Sequence, residues 1–300
     1  MHWLAGVIFT IVAVALTAGA FVAGGPILGT IVAVIMLVAY IAAYVRAYFI
    51  ARATLNTPPL GNRPLPWAGT TNYIDSQGER NNRAFMIGMN AALTGGLTLG
   101  ATALDPVMGV GLAIWNFVVV SLAAIPAVST NRYYQGIIGW TGWTSPTSLL
   151  GSLVGFIVFV ANLPFAIAIG AGSGNWWPVR FDWRTGVVEL TGGFLHFIST
   201  PTAVGGTVGH FSFIIDTTLP PGTFWPTGPV PDSGPGSSPQ AHEVGHCLDY
   251  VAFGFLRNIL ALVDQVMMGS GIGAYTEMTA DSHVPHFGRF QVNMWTEIIP

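Results

Sequence analysis

The sequence predicts a mostly α-helical chain in two parts. A polytopic membrane unit of about five helices spans residues 1–172, and a small α+β domain spans 173–300. Three observations predict this. Only 8% of the residues are charged against 52% hydrophobic, whereas a soluble domain carries about 25% charged residues. Five apolar runs of roughly membrane-spanning length follow one another before Gly172. Beyond Gly172 the texture changes to short alternating segments, then to patterns with helical period.

The first run, Trp3–Gly24, is uncharged. A signal peptide would have a shorter apolar core and lead into a polar region. Here a second apolar run, Pro26–Ile50, follows at once, so the pair reads as a transmembrane hairpin turning at Gly24-Gly25-Pro26. Tyr40, Tyr44, Arg46, Tyr48 and Arg52 form an aromatic and cationic belt at its end. Thr54–Arg83 is a polar loop by composition, rich in Pro, Gly and Asn. Three more apolar runs follow: Ala84–Leu104, Pro106–Val128 and Leu149–Ala171. Between the last two, Asn131–Ser148 reads as an interfacial loop with Arg132, Tyr133, Tyr134, Trp140 and Trp143.

All ten basic residues are Arg and the net charge is −3, so nothing points to a nucleic-acid partner. Arg52, Arg63, Arg80, Arg83 and Arg132 fall in the loops after the second and fourth runs, while the turns at Gly25 and Asp105 carry none. The positive-inside rule makes the Arg loops cytoplasmic and puts the C-terminal domain of this multi-pass protein on the exoplasmic side. Asn90, Asn116 and Asn162 lie inside apolar runs, where interhelical hydrogen bonding is their usual role. No charged residue sits at mid-span to support an ion or proton path. The single Cys247 cannot form an intrachain disulfide and reads as packing.

In the second part, Trp176, Trp177 and Trp183 mark a chain leaving the membrane interface. Val179–Trp183 and Val187–Thr191 flank Arg184-Thr185-Gly186 and read as a hairpin. Phe194–Ile198 and Val208–Asp216 are further strand candidates, and their His196 and His210 read as packed or exposed, not as ligands. Thr217–Ser238 is a long Pro/Gly/Ser loop. Three helices follow. The first runs from Pro239 to about Phe253 and stops near Gly254. The second, Phe255–Met268, has an apolar stripe of Leu256, Ile259, Leu260, Val263, Val266 and Met267, with Arg257 and Asp264 largely opposite. The third carries Ala274 to Asp281.

The chemistry concentrates in Ser238-Pro239-Gln240-Ala241-His242-Glu243-Val244-Gly245-His246. Ser238 suits an N-cap and Pro239 the first helical position. On the helix that follows, His242 and His246 share one face and can grip a single Zn²⁺. Glu243 stands beside the first histidine, placed to act as general base on a metal-bound water. Catalytic zinc takes three protein ligands, so one more comes from elsewhere. The candidates are Glu277, Asp281, His283 and His286. Glu277 is favoured because a second carboxylate follows one helical turn on, at Asp281.

The pair of motifs, His242-Glu243-x-x-His246 and Glu277-x-x-Ala280-Asp281, resembles the gluzincin type of zinc metallopeptidase, and within it the membrane-bound prenyl-protein endopeptidase group. The resemblance covers residues 238–283. It implies a zincin-like fold for the C-terminal domain, His242, His246 and Glu277 as zinc ligands, Glu243 as the catalytic base, and Asp281 as a hydrogen-bond partner that orients a ligand histidine. The longer metzincin pattern is absent, because Asp249 and Ala252 stand where Gly and His would be needed. The expected function is a membrane-anchored zinc metallopeptidase acting on a peptide or protein substrate at an aqueous site on the bilayer surface. Its substrate would be held along an edge strand such as Val208–Asp216, and Tyr275 or one of the later histidines could stabilise an oxyanion. The alternative is a non-enzymatic polytopic scaffold or subunit whose metal site is structural or vestigial. About five spans exceed what an anchor needs and leave room for a membrane-protein partner.

Overall fold

A computed structural model describes residues 1–55, 77–129, 131–172, 174, 177–198, 205–215, 224, 239–268 and 275–282. The loop readings over 56–76 and 217–238, Trp176, the Ser238 cap, His283 and His286 therefore lie outside the described residues, Phe224 excepted.

Helix α1 (His2–Leu55) reverses on itself at Gly25, whose φ of 71° is one that glycine adopts without steric cost. Pro26 then restarts the helix, and the ring of Phe21 comes back against Gly29. The expected hairpin is thus present. Helix α2 (Gln77–Thr98) continues through a 3₁₀ turn at Leu99–Ala103. Helix α3 (Pro106–Leu122) starts where the Asp105 side chain accepts the Met108 N–H at 2.8 Å. After the short α4 (Pro126–Ser129) come α5 (Arg132–Thr141) and α6 (Pro146–Gly172). Among the described residues, three stretches, His2–Ala51, Gln77–Ala103 and Pro146–Gly172, are long and apolar enough to cross a membrane; α3, where the fourth span was expected, is apolar but shorter.

Two loop expectations are corrected. Helix α2 begins at Gln77, well before the apolar run, because Glu79 and Arg83 pair one turn apart at 3.6 Å and Glu79 is fully buried. Asn131–Ser148 holds helix α5 in place of a loop. Asn131 caps it by accepting the N–H groups of Tyr133 and Tyr134, and Tyr134 and Ile138, one turn apart, bury a common face. The three asparagines of the apolar runs bond between elements, though the partner of Asn162 lies outside any helix. Asn90 reaches the carbonyls of Val251 and Ala252, Asn116 reaches Thr98 and Thr144, and Asn162 reaches Gly192.

The sheet has the order β1-β2-β4-β3. Strands β1 (Val179–Asp182) and β2 (Val187–Thr191) form the expected antiparallel hairpin, its turn fastened by Asp182 to Arg184 and Thr185. Strand β2 runs parallel to β4 (Phe211–Ile214), and β3 (Gly205–Val208) pairs antiparallel with β4. Phe194–Ile198 is helix α7, not a strand. Gly192 and Gly193, both at positive φ, turn the chain off β2, and Asn162 accepts the Leu195 N–H in the first turn. The single strand expected over Val208–Asp216 is broken at Gly209 (φ 62°), so Val208 ends β3 and Phe211 begins β4.

Helices α8 (Pro239–Phe253), α9 (Phe255–Met268) and α10 (Tyr275–Ser282) follow. Gly254 at φ 76° separates the first two. The last carbonyls of α8 would be orphans there. Asn90 takes two of them and the Tyr40 hydroxyl takes that of Phe253 at 2.8 Å, so long apolar helices cap α8. One hydrophobic cluster unites Tyr40 and Ala47 of α1, Met86 of α2, Val120 of α3, Ile138 of α5, Val244 and Leu248 of α8, and Tyr275 of α10.

Candidate metal centre

His242 and His246 occupy successive turns of α8, and their Nε2 atoms are 3.1 Å apart with the rings edge to face. Two nitrogens at tetrahedral positions around one Zn²⁺ would stand about 3.3 Å apart, so the donor spacing fits a shared metal. Glu243 is buried between α8 and the sheet, and its Oε2 accepts a hydrogen bond from Thr207 Oγ1 at 2.7 Å. Thr207 belongs to β3, an edge strand of the sheet. The edge beside the motif is therefore β3. Strand β4, within the segment expected to receive substrate, is interior and paired on both sides.

Helix α10 crosses α8 at the motif itself. A Cβ at Gly245 would lie 2.3 Å from the Ala280 carbonyl oxygen, so the small residue between the histidines permits the approach. Side chains from three other helices hold α10. The Arg257 guanidinium of α9 donates to Asp249 of α8 at 2.6 Å and to Thr279 of α10, while Thr279 donates to Asp249 at 2.8 Å. Asp264 accepts the backbone N–H of Tyr275 at 2.7 Å and the hydroxyl of Tyr44 at 3.1 Å. The Tyr275 hydroxyl donates to Glu79 of α2. Burial pushes the Tyr275 phenol well up, so it remains a donor there, and the oxyanion role considered for Tyr275 is not open to it.

Glu277 lies in α10, but only its backbone is among the described atoms, and the same holds for Asp281. Among the described residues, no three His, Cys, Asp or Glu side chains gather as a metal-binding group. The expected third ligand, whether Glu277, Asp281, His283 or His286, falls outside the described side chains.

A cleft of about 730 Å³ opens beside the motif. Glu243, His246 and Tyr250 of α8 form one wall, Gly205–Val208 of β3 another, and Val154 and Val158 of the apolar α6 a third. Arg257, Asn258 and Ile259 of α9 complete it with Thr276 of α10. Arg257, expected largely opposite the apolar stripe of α9, instead pairs with Asp249 of α8. Both are fully buried, and each is tolerated because the other neutralises it. Of the α9 stripe, Leu256 and Leu260 pack on the core while Ile259 and Val263 are exposed, and Arg257 and Asp264, expected largely on the other side, are themselves buried. Cys247 is buried in the core, and burial raises its thiol.

His196 lies in α7 and His210 in the turn before β4, so neither is a strand residue. His210 is wholly buried, with Nδ1 2.9 Å from Ser152 Oγ and Nε2 2.8 Å from the Gly139 carbonyl. Burial lowers this imidazole to about 4, which makes it a neutral strut between the sheet and helices α5 and α6. Thr207, the partner of Glu243, carried no signal in the sequence, since its role exists only once β3 is paired. Compared with known proteins, the chain matches no family model, no curated protein and no solved structure.

Proposed function

We propose that this chain is a membrane-anchored zinc metallopeptidase that hydrolyses peptide bonds, with His242, His246 and Glu277 as metal ligands and Glu243 as general base. The observation that carries the reading is the 3.1 Å spacing of the two Nε2 atoms, with the neighbouring Glu243 carboxylate buried, hydrogen-bonded and lining a cleft. Zinc, when bound there, supplies Lewis acidity to the peptide carbonyl and to water. Glu243 accepts the proton of the attacking water and returns it to the leaving amine. Thr207 holds one carboxylate oxygen of Glu243 by donating to it, which limits the rotamers that Glu243 can adopt. The edge of β3 that pairs with no other strand among the described residues offers backbone groups to a substrate in extended form, apart from the Thr207 carbonyl, which accepts from the Tyr250 hydroxyl at 3.3 Å. The apolar walls from α6 and α9 favour apolar side chains in that substrate.

The test is metal content and cleavage together. The purified parent is expected to hold about one zinc per chain and His246→Ala none, while Glu243→Gln keeps zinc and loses cleavage. Undiminished cleavage by Glu243→Gln would overturn the reading. In the same reading the protein is multi-pass, and the positive-inside rule makes its Arg-bearing loops cytoplasmic. The C-terminal domain packs on those same segments, with Trp140 donating to the Trp183 carbonyl at 3.0 Å and Tyr275 to Glu79, which favours the cytoplasmic side for it and not the exoplasmic side expected from the span count. Trp183 is 77% exposed. A Trp183→Cys variant in a Cys247→Ala background should react with an impermeant maleimide only after lysis. Labelling from outside intact cells would restore the exoplasmic orientation.

A further inference from the structure

We infer that the cleft contains a carboxylate-recognition subsite formed by Arg257, Asn258 and Thr276. Each presents a polar atom that is buried and has no hydrogen-bond partner among the described residues: Arg257 Nε, Asn258 Nδ2 and Thr276 Oγ1. All three residues line the cleft that also holds Glu243 and His246. Arg257 and Thr276 are each only 1% exposed. Native interiors leave few such donors unmade, because each one costs stability. Three along the wall of one cavity constitute a standing demand for an acceptor-rich ligand.

The local geometry explains why the protein does not meet this demand itself. Arg257 directs Nη2 to Asp249, to Thr279 and, at 3.3 Å, to the carbonyl of Thr276, so Nη2 is engaged while the neighbouring Nε–H is not. The same contact sets Arg257 against Thr276, and Asn258 is the next residue of α9. A carboxylate matches this set. It is acceptor-only, offers about four lone-pair sites on two oxygens, and forms a charge-assisted bond with a guanidinium Nε–H. A single carbonyl oxygen has too few lone pairs for three donors. Asp249 already neutralises Arg257, so selection rests on directed donors and not on net charge. The carboxylate comes either from a peptide C-terminus or from an Asp or Glu side chain. The inference rests on the peptidase reading only in taking a peptide as the ligand.

The experiment is a fluorescence titration of the full chain in nanodiscs with dansyl-Leu-Leu, dansyl-Leu-Leu-amide and dansyl-Leu-Glu-amide. It is run on the Glu243→Gln background, with and without a zinc chelator. At least one carboxylate probe should bind about tenfold or more tighter than dansyl-Leu-Leu-amide. Preference for dansyl-Leu-Leu alone assigns the subsite to the C-terminus, and equal preference for the Glu probe assigns it to any carboxylate. Thr276→Val and Asn258→Leu should each remove most of that preference while leaving the melting temperature unchanged or raised, since each deletes an unpartnered donor. Equal binding of the acids and the amide by the parent, or a preference that survives both variants, overturns the subsite. A carboxylate preference in a protein that never cleaves a peptide defeats the peptidase reading alone. Cleavage without the preference defeats the subsite alone.

Discussion

Gly245 and the carbonyl of Ala280 meet so closely that a Cβ on the glycine would stand 2.3 Å from the oxygen. This contact brings helix α10, the element that carries Glu277, onto α8 between His242 and His246. Gly245→Ala separates two effects of opposite sign. Alanine favours the helix by about 1 kcal/mol. Forcing the two backbones apart costs roughly 1–3 kcal/mol. Because the obstacle is backbone and not a flexible side chain, the second effect wins. Zinc content should fall well below that of the parent although both histidines remain, and melting should drop by several degrees. Full zinc retention in Gly245→Ala would mean that α10 supplies no ligand.

Thr207→Val keeps the shape of the β3 side chain and removes the hydroxyl that donates to Glu243 at 2.7 Å. Zinc content should not change, because the hydroxyl removed bonds to Glu243. Cleavage should fall about tenfold as Glu243 loses its fixed rotamer. Thr207→Ser should restore most of the rate. An undiminished rate in Thr207→Val would show that packing alone orients the carboxylate.

What was legible in the sequence was what local chemistry decides. Helix α8 begins at Pro239 and ends at Phe253, and α9 begins at Phe255, because a proline start and Gly254 punctuate them. Arg184-Thr185-Gly186 announced the first hairpin in the same way. The misses depend on partners distant in the chain. Strand β3 has two glycines in four residues and exists through its ladder with β4. Helix α7 stands where an apolar run suggested a strand, because Asn162, more than thirty residues earlier, caps it. At the site, the two histidines and the glutamate could be named from spacing. Thr207 and the Asp249–Arg257 pair could not, because each acts across elements that only the fold brings together.

The Asp249–Arg257 pair is expected to behave as a buried ion pair does. Both side chains are essentially inaccessible, and their nearest atoms are 2.6 Å apart. Asp249→Ala strands a guanidinium in the interior and should destabilise the protein by about 3–5 kcal/mol. Replacing both, as Asp249→Leu with Arg257→Met, removes the unpaired charge and should recover most of that loss. Thermal melting of the two single variants and the double variant gives the coupling directly. If the double variant melts no higher than the worse single variant, the pair matters through its bonds to Thr279 and α10, not through charge compensation.

His210 provides the pH dependence. Its imidazole titrates near its ordinary 6.5 in the unfolded chain and at about 4 in the folded protein, where burial opposes the charged form. Between those values the unfolded chain binds a proton that the folded chain does not. Stability from this group is therefore fully present above pH 6.5 and is lost as the pH falls toward 4. The shift corresponds to a loss on the order of 3 kcal/mol across the window. His210→Gln removes the titration, and its side-chain amide can still donate toward the Gly139 carbonyl that His210 Nε2 now meets. Melting measured at pH 7.5 and pH 5 should fall for the parent by several degrees more than for this variant. An equal fall in both proteins would assign the acid sensitivity to other groups and leave His210 with a packing role alone.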